Sequence, residues 1–215
     1  NDLKKNLSPK AIVYWSLKKC AMNGKDNQIN QSDIEVQKEL EKYIKLSVKQ
    51  QMLSDVPLGA FLSGGIDSST IVSLMQEQSV KPIKTFAIGF NEDQFNEAQH
   101  AKKIARHLNT DHTELYFSPK MAMNEIPNLP NIYDEPFSDN SQIPSILLSR
   151  LAKNQVKVAL SGDGADELFF GYNRYNYINN SFKNLNLLPN SLKKFLVKRI
   201  KLMSNENWNK LFEKL

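Results

Sequence analysis

The sequence predicts an α/β fold: a parallel twisted sheet with helices on both faces, followed by a helical C-terminal segment. Two observations carry that expectation. Apolar, β-rich runs alternate with helical patterns between residues 58 and 160, the arrangement of a parallel sheet covered on both sides. Two glycine-rich turns, starting at Ser63 and Ser161, each follow such a run directly. Ligands of open parallel sheets sit beyond the C-terminal strand ends, where strand order reverses. The two turns are therefore expected to meet on one edge.

The elements follow in order. Residues 1–31 are polar, Asn-rich around Met22–Gln31, and read as a linker or entry segment with Tyr14 and Trp15 as packing anchors. Ser32-Asp-Ile-Glu35 is a capping box. The helix it opens has apolar positions at Val36, Leu40, Ile44, Val48 and Leu53, and Pro57 and Gly59 end the pattern. Gly59-Ala-Phe-Leu62 is a buried strand, with a helix expected over Thr70–Gln78. After the Lys81-Pro82 turn, Ile83–Phe90 is a strand and Asn96–Leu108 a helix turning Ala98, Ala101, Ile104 and Ala105 to the core. His112–Phe117 alternates like a strand. Pro119–Asn128 is expected to be helical, Asn128–Phe137 a Pro-rich loop, Ser141–Asn154 a helix and Val156–Leu160 a strand. Residues 32–180 thus form the domain, and residues 181–215 a basic amphipathic helical segment.

Composition narrows the class. A length of 215 residues with 40% hydrophobic content suits one core with pieces attached. No apolar run approaches a membrane span, so no membrane partner is expected. The single Cys20 excludes an internal disulfide framework and suits a reducing, cytoplasmic setting. The net charge of +5 is concentrated in residues 181–215, which hold eight Lys and Arg against two Glu. There the basic residues alternate with Leu192, Phe195, Leu196, Ile200 and Met203 at helical spacing. That is a solvated helix face, and no nucleic-acid partner is expected.

The chemistry lies in the turns. Ser63-Gly-Gly-Ile-Asp-Ser68 joins a strand to a helix N-terminus, where backbone N–H groups and hydroxyls face outward at the positive end of a helix dipole. It lacks the Lys of a Walker loop and the third glycine of a dinucleotide fingerprint. It fits the pyrophosphate loop Ser-Gly-Gly-x-Asp-Ser at every position. Asp67 would repel phosphate, and makes sense if it holds a divalent cation against that anion. The second turn, Ser161-Gly-Asp-Gly-Ala-Asp-Glu167, places three carboxylates within five residues. An N-capped helix explains one or two acids, not three acids with two glycines. Asp67 and Asp166 are expected to ligate Mg²⁺, Asp163 to face the reacting substrate as the catalytic candidate, and Glu167 to be tied to backbone N–H groups. His100, His107 and His112 lack partners at metal spacing and are expected at surface or boundary positions. Tyr172 and Tyr175 are expected to pack the segment after the acidic turn.

The pair Ser63–Ser68 and Ser161–Tyr172, with Leu58–Ser69, Thr85–Phe90 and Asp134–Tyr175 around it, resembles the synthetase domain of glutamine-dependent asparagine synthetases. The resemblance spans roughly residues 45–180. It implies an adenine nucleotide alpha-hydrolase-like fold and an ATP-dependent amide-forming ligase. ATP would adenylylate the side-chain carboxylate of aspartate, and ammonia from an N-terminal glutaminase domain would displace AMP. By matching positions, Leu62, Ile88, Ser161 and Gly162 would contact adenosine. Ser63, Gly64, Gly65, Asp67 and Ser68 would hold pyrophosphate, and Asp67 and Asp166 would bind Mg²⁺. The third position of the second motif, Glu in some members, is Asp163 here. The family's N-terminal nucleophilic Cys does not match Asn1, and no Lys-Val-Asp-Arg-like segment occurs in residues 181–215. The chain is accordingly expected to lack the glutaminase domain and part of the synthetase site. A related carboxylate such as a sugar acid could replace aspartate, a homodimer is compatible with the resemblance, and the other outcome is a nucleotide-binding fragment without complete catalysis.

Overall fold

The computed structural model describes residues 11–90, 97–175, 177–178, 189–201 and 204. The chain divides into two compact units, residues 1–50 and 51–215.

In the first unit, α1 (Leu17–Asp26) starts at Ser16, whose hydroxyl accepts from the Lys19 N–H at 3.5 Å. The middle of this stretch, expected as a linker or entry segment, is helical. Tyr14 and Trp15 are not packing anchors: they are 97% and 60% exposed. The reason is local, since no residue of α1 is buried. The second helix, α2 (Asp33–Gln51), realises the capping box: the Ser32 N–H donates to Glu35 Oε2 at 2.9 Å, and the Glu35 N–H donates to Ser32 Oγ at 3.4 Å. These bonds from Ser32 hold the Glu35 carboxyl below its usual range. Of the five expected apolar positions only Val48 is buried, and Leu53 lies beyond the helix, exposed.

The second unit carries a four-stranded, all-parallel sheet in the order β3-β2-β1-β4, formed by β1 (Leu58–Phe61), β2 (Lys84–Phe90), β3 (Asp111–Phe117) and β4 (Val158–Leu160). The chain builds outward from β1 to β2 and β3, then returns to the far side of β1. The boundary between β1 and β4 is thus the switch point. Ala60 pairs with Thr85 on one side and Leu160 on the other. Gly59 permits this spacing, because a Cβ there would lie 2.8 Å from the Lys84 carbonyl oxygen and from the Phe86 ring.

Helices α3 (Ile66–Glu77), α4 (Ala98–Leu108), α5 (Pro119–Glu125), α6 (Leu129–Ile132) and α7 (Gln142–Lys153) connect the strands. Alternation along β2 separates two faces. Phe86, fully buried, packs with Ala152, Val156, Leu148 and Leu151 in and after α7, a burial worth about 1.5–3 kcal/mol for the ring alone. Gly89 turns the other way, where a Cβ would meet the Cβ of Ala98 on α4 at 3.0 Å. Ala98, Ala101 and Ala105 are buried as expected, and their small size lets α4 sit close to the sheet.

Two boundaries differ most from expectation. Helix α3 begins at Ile66, four residues before Thr70, because hydroxyls that favour turns bond back into the helix. Ser69 Oγ donates to the Gly65 carbonyl at 2.6 Å and Thr70 Oγ1 to that of Ile66 at 2.8 Å. The expected Pro119–Asn128 helix ends at Glu125, continues as a 3₁₀ turn over Ile126–Asn128, and passes into α6 inside the expected loop. Pro127 and Pro130 lack the N–H that a continuous α-helix needs, but each fits the first turn of a short one. Helix α8 (Ala165–Phe169) follows β4, and α9 (Asn190–Lys201) lies in the basic segment. Leu192 there is 42% exposed. The side chains of Phe195, Leu196, Ile200 and Met203 lie outside the described residues. No helix among the described residues is long and apolar enough to cross a membrane.

His112 links β3 to β2 through a buried polar cluster. Its Nδ1 shares a 2.8 Å hydrogen bond with Thr85 Oγ1, while Nε2 lies 3.4 Å from Glu114 Oε1 without hydrogen-bonding it. Glu114 instead accepts from Lys102 Nζ and the Tyr116 hydroxyl, both at 3.1 Å. Burial outweighs the attraction of Glu114 and lowers the His112 pKa. The native state therefore binds fewer protons than the unfolded one below about pH 6.5, the ordinary histidine value. Stability from this group is complete above that pH and falls as acidification proceeds toward the lowered native pKa. Urea unfolding at pH 7.5 and 5.5 should show a smaller acid-induced loss in His112→Gln than in wild type; equal losses would remove His112 as the cause.

Candidate functional site

The first turn is a cage of hydroxyls. The Ser63 N–H donates to Ser68 Oγ at 3.2 Å, the two hydroxyls lie 2.9 Å apart, and the Gly65 N–H donates to Ser63 Oγ at 3.2 Å. Ser68 is buried, so the cage is fixed from below. Gly64 adopts φ 89°, and a Cβ there would lie 2.7 Å from the Ala101 nitrogen. The turn thus rests on the first turn of α4. Gly65 is the N-cap of α3 and supplies no side-chain oxygen. The N–H groups of Ile66, Asp67 and Ser68 precede any intrahelical partner, so these donors are left for a ligand.

The second turn lies directly against the first. A Cβ on Gly162 would be 2.8 Å from the carbonyl carbon of Asp67 and from the Ser68 nitrogen. The expected convergence is thereby met at backbone contact. Ser161 Oγ donates to Asp163 Oδ2 at 2.9 Å, orienting that carboxylate. Gly164, at φ 91°, turns the chain into α8. Behind it the Gly171 N–H donates to the Asp166 carbonyl at 3.1 Å, and a Cβ on Gly171 would strike Asp166 Oδ1. Glu167 meets its expected backbone bonding only in part. Its main partner is the Tyr172 hydroxyl, with its own N–H second, and together they hold its carboxyl below the usual range. The same bond raises the Tyr172 pKa. Tyr172 also meets the Tyr175 ring edge-on at 5.5 Å, in keeping with a packing role.

Both turns open on one cavity of about 1300 Å³. Leu62, Ser63, Asp67, Ser68 and Ile88 line it from the β1–β2 side; Ser161, Gly162, Asp163 and Asp166 line it from the β4 side. Gly64 and Gly65 shape the turn without lining the cavity. Asp67 and Asp166 are both half-buried and, among the described residues, neither carboxylate meets a protein cation. Two free carboxylates fit Mg²⁺, which takes one or two protein oxygens and completes its octahedron with water and phosphate. No group of three or more His, Cys, Asp or Glu is gathered for a metal among the described residues. His100 and His107 are exposed on α4.

Sequence reading passed over three charged lining residues. Asp139 accepts from the Ser141 N–H at 2.8 Å and the Ser141 hydroxyl at 2.7 Å, which hold its carboxyl low. Its Asp-x-Ser spacing before a helix was the available signal. Glu97 lines the cavity from the N-cap of α4, and Arg174 from beyond α8. No local pattern marks either.

The family model for asparagine synthase matches residues 39–214. The glutamine-hydrolysing asparagine synthetase 1 of Bacillus subtilis is 44% identical over 160 residues, covering 74% of this chain and 25% of that protein. A putative glutamine-hydrolysing asparagine synthetase 2 of Methanocaldococcus jannaschii is 45% identical over 127 residues, 59% of this chain and 24% of that protein. The chain thus spans about a quarter of the length of these relatives. A solved NMN synthetase from Francisella tularensis superposes with a TM-score of 0.43 at 19% identity, covering 66% of this chain and 59% of that one.

Proposed function

This chain belongs to the asparagine synthase family, and from that premise we propose that it carries the ATP site of an amide-forming ligase acting on aspartate. An oxygen of the side-chain carboxylate attacks the α-phosphorus of ATP, and pyrophosphate leaves with the electrons of the broken P–O bond. Ammonia then attacks the acyl carbon and gives up a proton, the acyl C–O bond breaks with its electrons leaving on AMP, and asparagine forms. The observation that carries this reading is the backbone contact of Gly162 with Asp67 and Ser68 beneath one cavity.

In this reading the free N–H groups at the start of α3 and the hydroxyls of Ser63 and Ser68 bind the departing pyrophosphate. Gly64 and Gly65 hold those donors in place. Leu62, Ile88, Ser161 and Gly162 form the wall for adenosine. Asp67 and Asp166 would hold Mg²⁺, which would neutralise phosphate charge that these carboxylates otherwise repel. Asp163, kept in position by Ser161, faces the acceptor. The relatives are named for hydrolysing glutamine; the part assigned to this chain is the consumption of ammonia.

ATP–pyrophosphate exchange tests the reading. Exchange that depends on L-aspartate supports it. Exchange only with another carboxylate moves the acceptor, and Mg·ATP binding without exchange reduces the chain to a nucleotide-binding fragment.

A further inference from the structure

The cavity is strongly acidic. Asp67, Glu97, Asp139, Asp163, Asp166 and Glu167 line it, and among the described lining residues Arg174 is the sole cation. Mg²⁺ held by Asp67 and Asp166 would serve the phosphates. An acceptor with a second negative group would still meet uncompensated carboxylates, unless Arg174 receives it.

Arg174 is poised for that. Its guanidinium carbon lies 4.1 Å from the centroid of the Tyr172 ring, and among the described residues it makes no ion pair. The nearby Glu167 accepts from the Tyr172 hydroxyl and feels the Arg174 charge, but the two form no direct ion pair. Tyr172 thus does two things: its face carries the cation and its hydroxyl holds one oxygen of the neighbouring carboxylate. A guanidinium held by its face keeps its in-plane N–H fork available, and that fork matches a carboxylate bidentately. Pyrophosphate already has donors in the α3 turn, which leaves the fork for the acceptor.

We propose that Arg174 is the specificity-determining residue for the acceptor, binding the carboxylate that does not react and thereby selecting α-amino dicarboxylates. This rests on the ligase reading above and adds the part of the acceptor that is recognised. The test compares L-aspartate with β-alanine, which keeps the amine and the reacting carboxylate but lacks the α-carboxylate. In ATP–pyrophosphate exchange, Arg174→Ala should raise the KM for L-aspartate about 10- to 100-fold, the loss expected for a charge-assisted bidentate contact. The KM for ATP and the weak activity with β-alanine should stay within about twofold, and Arg174→Lys should recover part of the loss. An equal change for aspartate and β-alanine, or a rise confined to the KM for ATP, overturns the proposal. Calorimetric titration of L-aspartate into the chain with Mg²⁺ and a non-hydrolysable ATP analogue gives a second readout. Binding that is absent, or unaltered by Arg174→Ala, overturns it as well. Failure of the analogue itself to bind would instead count against the nucleotide site.

Discussion

Replacing Gly162 by alanine is expected to lower Mg·ATP affinity at least tenfold and pyrophosphate exchange by about 100-fold, the scale on which a misplacement of about 1 Å acts. The new methyl would lie 2.8 Å from two backbone atoms, the carbonyl carbon of Asp67 and the nitrogen of Ser68. Neither can rotate aside. The turns must separate, carrying the Asp67 carboxylate and the first-turn N–H groups away from Ser161 and Asp163. Overpacking of this kind costs about 1–3 kcal/mol of stability, so the sheet should survive. Gly24→Ala is the control, because a Cβ there meets nothing within 4 Å. Unchanged ATP affinity in folded Gly162→Ala would show that the contact between the turns is incidental.

Asp67→Asn should separate binding with Mg²⁺ from binding without it. The substitution keeps the shape of the side chain and removes its charge. With Mg²⁺, ATP affinity should fall by about 10- to 100-fold or more, as for other changes at metal sites. Without Mg²⁺ it should hold or improve, since a carboxylate facing phosphate has gone. Calorimetry with and without the metal reads both arms. A fall of equal size in both would assign Asp67 a structural role, for instance its favourable place near the positive end of α3.

Much of this was legible in the sequence, for identifiable reasons. Short β-rich apolar runs alternating with helical patterns point to parallel strands, and that alternation sufficed to bring residues 63 and 161 to one edge. The β1–β4 pairing and the contact at Gly162 are its realisation. The start of α3 was misread because Ser68, Ser69 and Thr70 favour turns, and only the structure shows their hydroxyls bonded within the helix and its cap. Tyr14 and Trp15 were misread because aromatic size suggests burial, whereas the helix after them offers no buried surface. The Tyr172 bond to Glu167 escaped the sequence because a residue five away is not a neighbour in any regular periodicity. Arg174, Glu97 and Asp139 were missed for a different reason. A cavity wall is assembled from the ends of several elements, and nothing local to 97, 139 or 174 records that they share it.

The most direct test is titration of Mg·ATP into the folded chain, with circular dichroism confirming the fold. One ATP per chain, bound more weakly in Asp67→Asn and in Gly162→Ala, is the predicted result. No binding by a demonstrably folded sample would contradict a nucleotide site between the two turns.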